Sequence, residues 1–154
     1  MDIIIDAHTY LGDILYPDGG KLIEKKGIKK KRIFDPISIS EACLHRSYGL
    51  DDLLNRLLAR WVTIAERQRN LTATRENFRR SMDEAGVMLS ACMPIPPHVT
   101  FEDIKMAFQK DQGIIPFTGI DYTKDYDLEA KLAVDIVAGA KGLKKKSSLN
   151  RLQA

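Results

Sequence analysis

A chain of 154 residues, with 44% hydrophobic and 29% charged residues, can bury one core and has the composition of an ordinary globular domain. Its net charge of +3 is too small to indicate a nucleic-acid partner, and it contains no apolar run of membrane length. Cys43 and Cys92 lie far apart, which indicates neither a metal knuckle nor a disulfide framework. We therefore expect a cytoplasmic protein without a membrane or nucleic-acid partner.

The chain begins with a predicted strand that ends in polar side chains. Residues Ile3 to Ile5 form a β-branched run typical of a strand buried on both faces. Asp6, His8 and a turn at Gly12 follow, and on an extended strand the side chains of Asp6 and His8 point the same way. In β/α barrels the active site is built at this edge of the sheet, where the strands end.

A loop, a basic segment and a long helix come next. Residues 17–20, Pro-Asp-Gly-Gly, predict a turn. Residues 24–32 carry six basic side chains, which favour a solvated loop over a patch for phosphate or an acidic partner. From Leu50 to about Gln68, hydrophobic residues recur with the helical period and form a stripe wide enough for a core and a partner chain.

The rest of the chain alternates between helical and strand patterns. This alternation predicts parallel strands joined by helical crossovers. Thr72 or Thr74 can cap the second helix and Gly86 can end it, Thr100 with Asp103 suits a capping box, and Asp127 can cap the last helix. Pro116 weakens the ladder expected for the third strand. The predicted elements are a helix at 74–85, a strand at 87–95, a helix from 100 to 108, a strand at 113–120, a helix from 127 to about 139, and a fourth strand beginning at 143.

The first twelve residues resemble the opening of the amidohydrolase superfamily, especially its amidohydrolase-related branch of metal-dependent hydrolases and decarboxylases. In that family the first strand ends in Asp-x-His-x-His, and the two histidines bind a catalytic divalent metal. Here the pattern reads Asp6-Ala7-His8-Thr9-Tyr10. Two later stretches are also similar to the family: Met82-Asp-Glu-Ala-Gly-Val87, and Gly139-Ala-Lys-Gly142-Leu-Lys144, which the family continues as Leu-His-Pro.

The resemblance implies an α/β fold: a partial TIM-type β/α barrel of about four parallel strands, with a helical insertion after the first strand, over residues 1–144. A complete barrel needs about 250 residues. We therefore expect a truncated N-terminal half, with a disordered tail at 145–154. The implied function is metal-dependent hydrolysis or decarboxylation of a small carbonyl substrate, with little activity from this chain alone.

The resemblance also implies roles for individual residues. His8 is implied to bind the divalent metal, zinc or a similar ion, and Asp6 to orient that ligand. Tyr10 occupies the second ligand position, where a phenol is a poorer zinc ligand than imidazole. Tyr10 and His98 are candidate substrate contacts, since His98 follows the second strand at the same expected edge. For each of these side chains, ordinary packing or solvation remains the alternative.

A second hypothesis treats the chain as an inactive half-barrel that acts through self-association or a partner chain. Four parallel strands leave open edges and an uncovered apolar face. We therefore expect a homo-oligomer, with apolar surface left by residues of the first three strands. These are Ile3, Ile5, Leu89, Ala91 and Ile115.

Overall fold

The computed structural model describes residues 3–29, 50–121, 124–125 and 127–144, with the backbone alone described at 50–57. Within these ranges the chain forms four strands, four α-helices and one 3₁₀ turn. The elements are β1 (Ile5–Thr9), the 3₁₀ turn (Gly19–Leu22), α1 (Leu50–Leu71), α2 (Arg75–Ala85), β2 (Leu89–Cys92), α3 (Phe101–Lys110), β3 (Ile114–Gly119), α4 (Leu128–Val137) and β4 (Gly142–Lys144).

The four strands form one parallel sheet in the order β1-β2-β3-β4, curled into a half-barrel. Ile5 pairs with Leu89 between β1 and β2, and Phe117 pairs with Gly142 between β3 and β4. The structure confirms the predicted α/β class with four parallel strands. Because all strands run the same way, their carboxyl ends meet at one edge, which we call the strand-end edge.

The predicted helix caps are confirmed. The Thr74 hydroxyl caps α2, and Gly86 ends that helix in the left-handed region at φ 69°. Thr100 and Asp103 form a reciprocal capping box at the start of α3. The Asp127 carboxylate accepts two backbone N–H groups at the start of α4. These local hydrogen bonds fix the residue at which each crossover helix begins. They therefore also fix where the preceding loop ends.

The helix predicted after the first strand extends to Leu71, three residues beyond the expected end. Of its predicted apolar stripe, Ala65 is buried and Trp61 is exposed. The side chains of residues 50–57 lie outside the part of the chain that the structure describes. None of the described helices combines the length and apolar character that crossing a bilayer requires.

The core lies between α3 and the two central strands, β2 and β3. Ile104 of α3 and Ile114 of β3 are fully buried within it. Burial raises the pKa of the Cys92 thiol to about 12, so this side chain behaves as a small apolar group. The buried cluster consists of Leu11, Ile23, Cys92, Val99, Ile104, Ala107 and Ile114.

The prediction that the first strand is buried on both faces is wrong. Ile3, Ile4 and Ile5 are 62%, 50% and 54% exposed. The physical reason is position, because β1 is an edge strand whose only paired neighbour within the described residues is β2. Conversely, Ala91 was expected to face water and is buried, since its strand lies inside the sheet.

Pro116 is accommodated inside β3, a strand with a neighbour on each side. Its carbonyl accepts a hydrogen bond of 2.8 Å from the Lys141 backbone N–H. In a parallel ladder the N–H and C=O of one residue point to the same neighbour, so the missing donor faces β4. The β3–β4 pairs begin one residue later, at Phe117, and the missing donor therefore falls at the start of that ladder.

Helix α4 turns a polar residue toward the sheet and leaves apolar ones outside. Asp135 is buried and accepts hydrogen bonds from the Thr118 hydroxyl and the Lys131 ammonium. Leu128, Leu132 and Ile136 recur every four residues, a spacing that predicts an apolar stripe on this helix. Of these, Leu132 is half-buried, whereas Leu128 and Ile136 are exposed. The predicted tail at 145–154 lies outside the described residues.

Candidate functional site

Asp6, which the sequence placed after the first strand, is the second residue of β1 and links that strand to β2. Its carboxylate accepts hydrogen bonds from the Thr9 hydroxyl, from the His8 backbone N–H at 3.0 Å and from the Ser90 hydroxyl at 3.4 Å. The Thr9 and His8 bonds hold the pKa of the Asp6 carboxyl below its usual value. A bulge between Asp6 and Thr9 interrupts the strand, so simple alternation does not govern the side chains here.

His8, Tyr10 and Lys144 form a hydrogen-bond chain across the strand-end edge. The Lys144 ammonium donates to the Tyr10 hydroxyl at 2.7 Å, and that hydroxyl lies 2.6 Å from His8 Nε2. An ammonium can only donate, so the phenol oxygen accepts from Lys144 and its proton is available to His8 Nε2. The Lys144 Nζ atom also lies 4.1 Å from the Tyr10 ring centroid, within cation–π range.

A cleft of about 340 Å³ opens at the same edge. The segments that follow β1, β2 and β3 all line it, and Lys144 at the end of β4 completes the wall. Its volume is that of a site for a small molecule, and its lining is largely apolar with few polar groups, as in most ligand sites. The lining residues are Ile14, Leu15, Pro94, Ile95, Pro96, Pro97, His98, Gly119, Ile120, Asp121 and Lys144.

His98 lies in this cleft, where the sequence placed it. The loop carrying it is anchored by its backbone, because the His98 carbonyl accepts from the Gly20 N–H at 3.1 Å. Its Nδ1 atom is buried and has no hydrogen-bond partner within the described residues. An unpaired buried polar atom costs about 1–3 kcal/mol, which a ligand group bonded to Nδ1 would offset.

The potential metal ligands among the described residues do not form a site for the divalent metal that the family resemblance implies. The described ranges contain no group of three or more His, Cys, Asp or Glu side chains able to hold one. The His8 Nε2 lone pair that a metal would use faces the Tyr10 hydroxyl, and the Lys144 ammonium lies on the other side of that hydroxyl. A cation beside His8 would therefore meet a positive charge.

Sequence reasoning missed Lys144 and Ser90 as members of this site. In the sequence, Lys144 was assigned only to the strand pattern that begins with Gly142. Its position at the end of the fourth strand is the feature that could have indicated a role at this edge. A second cleft of about 530 Å³ lies along α2 and contains Thr72, Asn77 and Ser81. Tyr10 is the one side chain of the hydrogen-bond chain that also lines this second cleft.

Comparisons with protein-family models, with curated proteins and with solved structures return no match for this chain. The functional interpretation of the strand-end edge therefore depends on its residues and their geometry.

Proposed function

We propose that this chain is the N-terminal half of a TIM-type barrel of the amidohydrolase-related kind, and that its strand-end cleft binds a small carbonyl-bearing acid. The observation that carries the proposal is the position of the Lys144 ammonium. Lys144 forms part of the wall of an apolar cleft of ligand size, and its ammonium hydrogen-bonds to Tyr10, the residue after β1. Small molecules bind at this edge in parallel β/α folds.

Lys144 supplies the charge that recognises the acid. No described carboxylate forms an ion pair with its ammonium, and Tyr10 uses one of its three donors. The remaining N–H groups donate to a carboxylate or carbonyl oxygen, and such charge-assisted bonds are about twice as strong as neutral ones. The apolar residues of the cleft hold the body of the ligand, and His98 Nδ1 supplies a second polar contact.

Tyr10 and His8 connect that recognition site to solvent. The phenol proton faces His8 Nε2, and the His8 side chain is exposed, so a proton can pass from Tyr10 to His8 and be exchanged with water. The Tyr10 phenol and the His8 imidazole hydrogen-bond to each other, and this pair does not generate a strong nucleophile. We therefore infer that the chain alone binds its ligand with little turnover.

Replacing Lys144 with methionine tests the recognition step. Methionine keeps the length of the side chain and removes its charge. We expect Lys144→Met to weaken binding of pyruvate, used as the probe acid, by about tenfold or more, equivalent to about 1.4 kcal/mol. Isothermal titration calorimetry measures this directly. Lys141→Met, an exposed lysine before β4, is the matched control, and equal affinities for the two variants would contradict the proposal.

Restoring the family's metal pattern tests the resemblance. Tyr10→His combined with Lys144→Met creates Asp-x-His-x-His and removes the competing ammonium. We expect this double variant to bind zinc about tenfold more tightly than the parent chain, because imidazole replaces a phenol and a repulsive charge is lost. Competition with a chromogenic chelator gives the affinity.

The control for the zinc experiment is Tyr16→His combined with Lys141→Met, which adds and removes the same groups away from His8. A gain that persists after a further His8→Ala change would show that the metal binds elsewhere. No gain in the double variant would mean that β1 is not built on the amidohydrolase pattern.

A further inference from the structure

We propose that two copies of this chain join through the open edges of their sheets, β4 of each against β1 of the other, to close one eight-stranded β/α barrel. The inference rests on the half-barrel of the proposed function and adds the partner that completes it. The partner is a second copy of the same chain.

Within the part of the chain that the structure describes, both outer strands have an unpaired side. In the described sheet, β1 pairs only with β2 and β4 pairs only with β3. Each edge therefore presents a row of backbone N–H and C=O groups, which is a template for another strand. An apolar partner surface alone would leave these polar groups unsatisfied, whereas another parallel strand edge satisfies them.

Large exposed apolar side chains concentrate at the same two ends of the sheet. At the β1 end these are Ile3, Ile4 and Ile5. At the β4 end, Leu143 of the strand is 42% exposed, and Val137 of α4, the helix that leads into β4, is 89% exposed. Two further side chains of α4, Val134 and Ile136, are also exposed. Burial of such side chains is worth about 25 cal/mol per Å² of apolar surface removed from water.

The direction and number of the strands select a second copy as the partner. A twofold axis along the barrel would place β4 of one copy beside β1 of the other with all eight strands parallel. Eight is the strand number at which side chains fill a barrel interior. The same operation satisfies both edges of both copies, so the assembly closes as a dimer and leaves no edge for further growth.

Closure would also complete the ligand site. The ends of β4 and of the second copy's β1 would become neighbours at one mouth of the barrel. Lys144, which ends β4, would then lie beside the strand end that carries His8 and Thr9 of the second copy. The barrel would present two such ligand sites at a single end.

The test combines solution mass with variants of each edge. We expect sedimentation at micromolar concentration to give twice the mass of one chain. Val134→Glu with Val137→Glu should yield a monomer, as should Ile3→Lys with Ile4→Lys, because each places charge in the buried seam. Met106→Glu, an exposed apolar position on α3 outside the central strands, should remain dimeric. A monomeric parent chain, an open polymer, or a dimer unaffected by both edge variants would overturn the proposal.

Hydrogen exchange measured on the parent chain is a second test, and it does not depend on whether any variant folds. Amides of β1 and β4 should be protected more strongly at high than at low protein concentration. Concentration-independent exchange at both strands would refute pairing through the edges. Pyruvate titration separates this claim from the proposed function: a monomer that binds pyruvate overturns only the assembly, and a dimer that does not bind it overturns only the ligand site.

Discussion

Replacing Ile104 with alanine is expected to lower the free energy of unfolding by about 2–5 kcal/mol. Ile104 lies on the inner face of α3 with none of its surface exposed, and it belongs to the buried cluster that contains Val99 and Ile114. Truncation removes three carbons from that cluster and leaves a cavity. Because α3 covers the central strands, the loss acts on the part of the fold that aligns the strand-end edge. Urea unfolding followed by circular dichroism gives the value.

Met106→Ala provides the comparison on the same helix. Met106 is 49% exposed, so its truncation should change the free energy of unfolding by about 0.5 kcal/mol or less. Similar losses at the two positions would contradict the placement of the core between α3 and the sheet.

Replacing Arg79 with methionine is expected to destabilise the fold by about 2 kcal/mol. Arg79 on α2 donates hydrogen bonds from two nitrogens to the Asp111 carboxylate. Its Nε atom lies 2.9 Å from Asp111 Oδ2. The Asp111 side chain is 9% exposed, so removing its partner leaves a nearly buried charge whose remaining hydrogen bond within the described residues comes from the Gly113 N–H. Partial exposure of Arg79 keeps the loss below that of a fully buried pair.

The Arg79 effect should depend on pH. Hydrogen bonds from Arg79 hold the pKa of Asp111 below its ordinary value of 3.8. A carboxyl group whose pKa is lower in the folded than in the unfolded protein stabilises the fold. This stabilisation is complete at pH values above the unfolded-state pKa, and it is lost as the pH falls through the folded-state pKa. The difference between the parent chain and Arg79→Met should therefore shrink in acid below about pH 3.8.

Arg80→Met serves as the control for that pair. Arg80 is exposed and lies 3.6 Å from Glu76, and a surface pair of this kind contributes about 0–1 kcal/mol. A pH-independent difference between the parent chain and Arg79→Met would mean that the ion pair with Asp111 does not stabilise the fold.

The features that sequence predicted correctly are those set within a few residues of the chain. Thr100 and Asp103 form their capping box because both partners lie in one turn. Gly86 ends α2 because the chain needs a left-handed residue between a helix and the following strand. Alternation of helix and strand patterns then predicted four parallel strands, since consecutive β/α units pack with few alternatives.

The features that sequence could not supply depend on distant parts of the chain. The apolar run at Ile3–Ile5 and the stripe on α4 indicate burial, but whether a neighbour covers them is decided by what pairs with the sheet edges. The contact between Tyr10 and Lys144 joins positions 134 residues apart, and no local pattern encodes it. The register shift between Asp6 and Thr9 is likewise a feature of the pairing with β2, which the local sequence does not specify.

A map of backbone amide shifts during pyruvate titration tests the ligand site most directly. We expect ¹H–¹⁵N shifts to change at the strand-end edge, at Ile95, His98, Gly119 and Lys144, and to require a pyruvate concentration about tenfold higher or more in Lys144→Met but not in Lys141→Met. Shifts confined to the second cleft along α2, around Thr72 and Ser81, or no saturable shifts at all, would contradict a ligand site at the ends of the four parallel strands.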